Sequence, residues 1–127
     1  MANIIQTVLI RTDLFGDNTG LIAAQVAHIH AQVLMMDKAP DEIADVDFDA
    51  WKKAPYLFVK KVPNLETLKY YYRIAGEAIV PVHMWSDTVY IKTSPTQQYA
   101  FNTDVGISLG PTDSDKIKTV IGDLPLL

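Results

Sequence analysis

The first apolar run, "IIQTVLIRT" from Ile4 to Thr12, is rich in β-branched and apolar residues, which predicts a buried strand without a wet face. The next segment, "DLFGDNTG", concentrates Asp, Asn and Gly and reads as a loop, with Asn18 or Thr19 placed to cap a helix. There the pattern changes from a continuous apolar run to a helical period. Ile22, Val26, Ile29, Val33 and Met36 recur at steps of four and three and form one apolar stripe. Leu21, Gln25, His28 and Gln32 form a second row, rotated by about 100° from the first. That row borders the packed face, where a side chain touches both core and solvent.

Further along, a short helix is predicted within "KAPDEIADVDFDAWKKAP", a strand over Tyr56 to Val62, and a third helix in "NLETLKYYYRIAGEA" with Asn64 as its cap and Gly76 near its end. Strand character resumes at Ile79 in "IVPVHMWSDTVYI", where Pro81 favours a strand start or an edge. The polar stretch "KTSPTQQYAFNT" alternates Tyr99 and Phe101 around Ala100, which suits a hairpin or an extended loop. Asp104 to Pro111 reads as a last short strand. Thr112 is then expected to cap a closing helix, with Asp115 in the reciprocal capping position and Ile117, Val120 and Ile121 as its apolar face.

Strands alternating with helices predict an α/β fold: a central, partly parallel sheet covered on both faces. Ligands in such sheets bind beyond the carboxyl ends of the strands. The loop before the first helix therefore brings Leu21 and Gln25 nearer the crevice than Gln32.

Composition narrows the chemistry. At 127 residues and 49% hydrophobic, the chain is expected to be one domain over residues 1–127. It has no apolar run of about eighteen residues and no basic leader, so the expectation is no membrane span, no signal peptide and a cytoplasmic location. Cysteine is absent, which excludes disulfides, thiol catalysis and thiolate zinc sites. His28 and His30 point about 200° apart on a helix, and with His83 they make no ligand spacing, so neither a metal nor a cofactor is expected. A formal charge of -4 argues against a general nucleic-acid binder. A nucleic-acid substrate would need a local basic patch, for which Arg11, Lys52, Lys53, Lys60, Lys61, Lys69 and Arg73 are available.

Three separated pieces share one resemblance. "VLIRTDL" followed by "IAAQVAH", the segment "VPVHMWSDT", and the ending "GISLGPTDSDKIKTVIGDLPLL" together resemble the type 2 peptidyl-tRNA hydrolase family, nearly end to end and in the family's order. The resemblance implies a three-layer α/β/α sandwich with a four-stranded mixed β-sheet, here with room for an extra hairpin or loop at 88–102. It also implies a homodimer and hydrolysis of the ester joining a peptide to the 3′ end of tRNA, with peptidyl-tRNA as partner.

Aligned on this pattern, the position of the family's functional Lys, four before Gln25, is Leu21, and the preceding loop carries Asp17 where the family brings positive charge. The family's Asp-Ala-Gly-x-Thr-Gln motif keeps its Asp as Asp87, while Thr88, Val89 and Ile91 replace the Ala, Gly and Thr. The Thr that begins the last strand falls near Asp104 or Val105. Ester hydrolysis needs a positioned water, a proton acceptor and donors for the developing oxyanion. The candidate catalytic residues are therefore Asp87 as base or orienter, Gln25, Thr88, and His28 as a base whose tautomer Asp87 would set, with Arg11 as a replacement cation.

Overall fold

The structure is a computed structural model that describes residues 3–16, 18–40, 43–122 and 124–127. The apolar first segment forms β1 (Ile4–Arg11), an interior strand of the sheet. β2 (Leu57–Val62) pairs with it in parallel, and β4 (Gln97–Asp113) lies antiparallel on its other side. β3 (Val82–Ser94) pairs antiparallel with β4, which gives a four-stranded mixed sheet in the order β2-β1-β4-β3. A single antiparallel bridge between Lys60 and Leu126 adds a fragment of a further strand outside β2.

Alternation along β1 divides the core between two faces. Val8 and Ile10 pack with Ile22, Val26 and Ile29 of α1 (Thr19–Leu34). Leu9 faces the other way, toward Leu68 of α3 (Leu65–Glu77) and Ile117 of α4 (Ser114–Ile121). Phe48 and Trp51 of α2 (Asp45–Lys53) pack with Val33 in a third cluster. α2 also carries Asp45 and Asp47 in its first turn and Lys52 and Lys53 in its last, matching the helix dipole at both ends. The α/β/α layering expected above is thus present. Among the described residues no helix is long and apolar enough to cross a membrane.

Close contact between β1 and β4 depends on Gly106, where an added Cβ would lie 2.7 Å from the Leu9 carbonyl oxygen and 2.9 Å from Ile29 Cδ1. That spacing admits no side chain.

Several boundaries differ from the sequence expectation. The last strand is not short: it begins at Gln97 and forms a long hairpin with β3 across Pro95 and Thr96. Its polar outer half is held by backbone pairing, which needs no apolar pattern. Thr112 does not cap α4, because pairing with β1 continues to Asp113 opposite Ile4; Asp113 caps the helix, accepting from the Asp115 amide at 2.9 Å. Asn64 caps α3 as expected, accepting from the Thr67 amide at 2.9 Å. Ile79 lies outside β3 and turns the chain with φ of 57°, the left-handed conformation expected of a glycine.

Candidate active site

Asn18 closes the start of α1 by accepting from the Leu21 amide at 3.1 Å, satisfying one of the free N–H groups of the first turn. With Ile22, Val26 and Ile29 seated on the sheet, Gln25 is carried to the flank of that face, against β3. There it is 9% exposed. Its Oε1 accepts from Trp85 Nε1 at 2.8 Å and its Nε2 donates to Asp87 Oδ2 at 2.9 Å. These partners fix which way the amide faces, since an indole N–H only donates and a carboxylate oxygen accepts. Asp87 Oδ1 accepts from the Thr88 backbone N–H at 2.8 Å, so the carboxylate is held at both oxygens.

His28, one turn beyond Gln25, stacks its ring on Trp85 with centroids 5.8 Å apart and planes 18° from parallel. It joins the cluster through the indole. Among the described residues Asp87 bonds to Gln25 and Thr88 and not to His28, so the arrangement in which Asp87 orients the imidazole is not formed. Thr88 contributes its backbone to Asp87, while its hydroxyl bonds Asn102 Oδ1 across the hairpin.

The neighbouring positions make a polar ladder. Asp87 stands opposite Thr103, and Ser86 opposite Asp104, whose Oδ1 accepts from Ser86 Oγ at 2.5 Å. Arg11, at the end of β1, reaches this ladder from the other side. Its Nη1 donates to Thr103 Oγ1 at 3.0 Å and to the Asp104 carbonyl at 2.9 Å. Its Nε and Nη2 grip the two oxygens of Asp13 at 3.0 and 2.8 Å. The guanidinium is thus a buried brace between the end of β1 and the middle of β4, and among the described residues its ion pair is with Asp13. Leu21 is 47% exposed at the start of α1, and its side chain offers no donor to a substrate oxygen. Asp17 lies outside the described residues.

On the opposite side of α1, His30 Nδ1 lies 2.5 Å from Oε1 of Gln6, whose Nε2 donates to Ser108 Oγ at 2.8 Å. The amide oxygen can only accept, so His30 Nδ1 carries the proton. Burial lowers the pKa of His30 below the usual histidine value, since desolvation disfavours the cation. The helical divergence of His28 and His30 thus separates a candidate site residue from one bonded to the core of the sheet.

Asn102 and Trp85 were the partners that residue patterns did not single out as part of the site. Their only available signal was position, on a hairpin whose register decides which side chains meet. Residues 4–127 match the family model described as Peptidyl-tRNA hydrolase PTH2. Among curated proteins, none matches the chain significantly.

Proposed function

Because this chain belongs to the PTH2 family of peptidyl-tRNA hydrolases, we propose that it hydrolyses the ester joining a peptide to the 3′ end of tRNA. The observation that carries this reading is the Asp87 carboxylate held between Gln25 Nε2 and the Thr88 amide. Asp87 takes the proton of the attacking water and gives it to the departing ribose oxygen as the ester C–O bond breaks, and Gln25 Nε2, which keeps a second N–H, donates to the developing oxyanion. Thr88 orients the base, and His28 covers the indole beside it. The chain acts as one domain over residues 1–127, in the cytoplasm where peptidyl-tRNA arises. Tyr56, Phe58 and Leu126, all exposed around β2, support a homodimer, which light scattering of the purified protein tests.

Leu21 and the engaged Arg11 favour a second reading, a homologue that binds without turnover, using the crevice for a small ligand or a protein. Losing one oxyanion donor typically costs about two to three orders of magnitude in rate. An assay of peptide release from peptidyl-tRNA separates the two. The hydrolase reading expects slow wild-type release that Asp87→Ala abolishes. Release absent from the wild type but gained in Leu21→Lys supports the binding homologue, and release absent from both rejects the hydrolase.

A further inference from the structure

A groove of about 380 Å³ lies between the second half of α1 and the start of β3. Ile29, Gln32, Met35, Met36, His83 and Trp85 line it. Two larger grooves, of about 610 and 460 Å³, lie on the β2 side and share no residue with the candidate active site. The α1–β3 groove is continuous with that site through Trp85, whose indole also bonds Gln25.

Its lining selects an occupant. No carboxylate, ammonium or guanidinium group lines it, so a charged side chain gains no ion pair there, whereas Ile29, Met35, Met36 and Trp85 offer apolar contact. Met35 and Met36 adapt their shape to different apolar groups, as suits an enzyme that meets peptides of varied sequence. Position decides which part of a substrate arrives. From Gln25 to Gln32 the helix advances about 10 Å, and from Asp87 to His83 the strand runs about 13 Å. An extended peptide advances about 3.3 Å per residue, so with its ester at Asp87 it reaches the groove with roughly its third residue before the esterified one. β3 is the outermost strand on that side, and its open edge gives such a peptide backbone groups to pair with.

We propose that this groove binds an apolar side chain of the substrate peptide, about three residues before the ester. The inference rests on the hydrolase reading above and names the part of the substrate that the reading leaves open. Two hydrolysis-proof probes test it: N-acetyl tetrapeptides joined by an amide to 3′-amino-3′-deoxyadenosine, identical except for Phe or Gly as the first residue. Calorimetric titration of the full chain is expected to give about tenfold tighter binding of the Phe probe. Gln32→Trp, at an exposed helix position, fills the groove and brings the two affinities together. Met35→Ala, at a residue 73% exposed, narrows the difference without disturbing the core. Equal affinities in the wild type, or no binding of either probe, overturn the groove. Release of peptide from a tRNA bearing one N-acetylated residue, too short to reach the groove, is measured alongside. Such release with equal probe affinities rejects the groove alone, and a Phe preference without release of this or a longer peptide from tRNA rejects the hydrolase reading and with it the groove's role as a substrate subsite.

Discussion

Gln25 and Asp87 stand 62 positions apart in the chain and are joined by a hydrogen bond of 2.9 Å. The bond ties the helical layer to the outermost strand at a point where both carry a side chain proposed for chemistry. Replacing Gln25 with Met keeps the bulk and removes both polar contacts, leaving the Trp85 N–H and an Asp87 oxygen without their partner. A loss of about 1–3 kcal/mol is expected, read as a lower urea midpoint, together with loss of any peptide release.

Arg11 and Asp13 form an unequal pair. Arg11 is buried, whereas the Asp13 side chain is 37% exposed, so water can replace the carboxylate but not the guanidinium. Asp13→Ala should cost no more than about 1 kcal/mol. Arg11→Met removes the brace across three partners and should cost about 2–4 kcal/mol. Chemical denaturation of both variants checks the ordering, and equal losses would contradict it.

His30 makes stability depend on pH. Its pKa in the folded chain lies below the ordinary histidine value because of burial, so between the two values the unfolded chain binds the extra proton. Stability is therefore full above about pH 6.5 and falls as the pH drops toward the folded-state value. Below that value this contribution levels off. His30→Gln can still donate to Gln6 Oε1 but cannot titrate, and should flatten the thermal midpoint between about pH 7 and 5.5 relative to the wild type.

Ile79 holds a left-handed backbone with a side chain 67% exposed. A β-branched residue is strained there by about 1–2 kcal/mol, and little burial is lost on removing it. After the entropy that glycine gives the unfolded chain, Ile79→Gly should stabilise by about 0.5–1 kcal/mol. A higher thermal midpoint is the expected result, and an unchanged or lower one would mean that the side chain contributes more than its exposure suggests.

Layers were legible because burial imposes periods. Val8, Leu9 and Ile10 together announce a strand covered twice, and the Ile22, Val26, Ile29 and Val33 stripe announces the helix that covers one side. The reach of β4 was not legible, since Gln97 to Asn102 pair through backbone groups that every residue possesses. The same limit hid the partners of Gln25. Periodicity assigns a residue to a face, while the meeting of Trp85, Asp87 and Gln25 depends on strand register and on how far the helix lies along the sheet. The pairing of Arg11 was not legible either, because Asp13, two residues on, has the composition of a loop and is in fact its counterion.

The bond from the Trp85 indole to Gln25, and from Gln25 to Asp87, has an optical consequence. A molecule that draws the Asp87 carboxylate away would loosen the amide and change the polarity felt by the indole, so a change in Trp85 emission is the expected mark of binding at the candidate site. The protein's other tryptophan, Trp51, is 2% exposed and donates its N–H to the Tyr56 carbonyl at 3.1 Å. Its ring lies edge-on to His30 with centroids 5.9 Å apart, so at fixed pH it supplies a background against which Trp85 is expected to report binding without an attached dye.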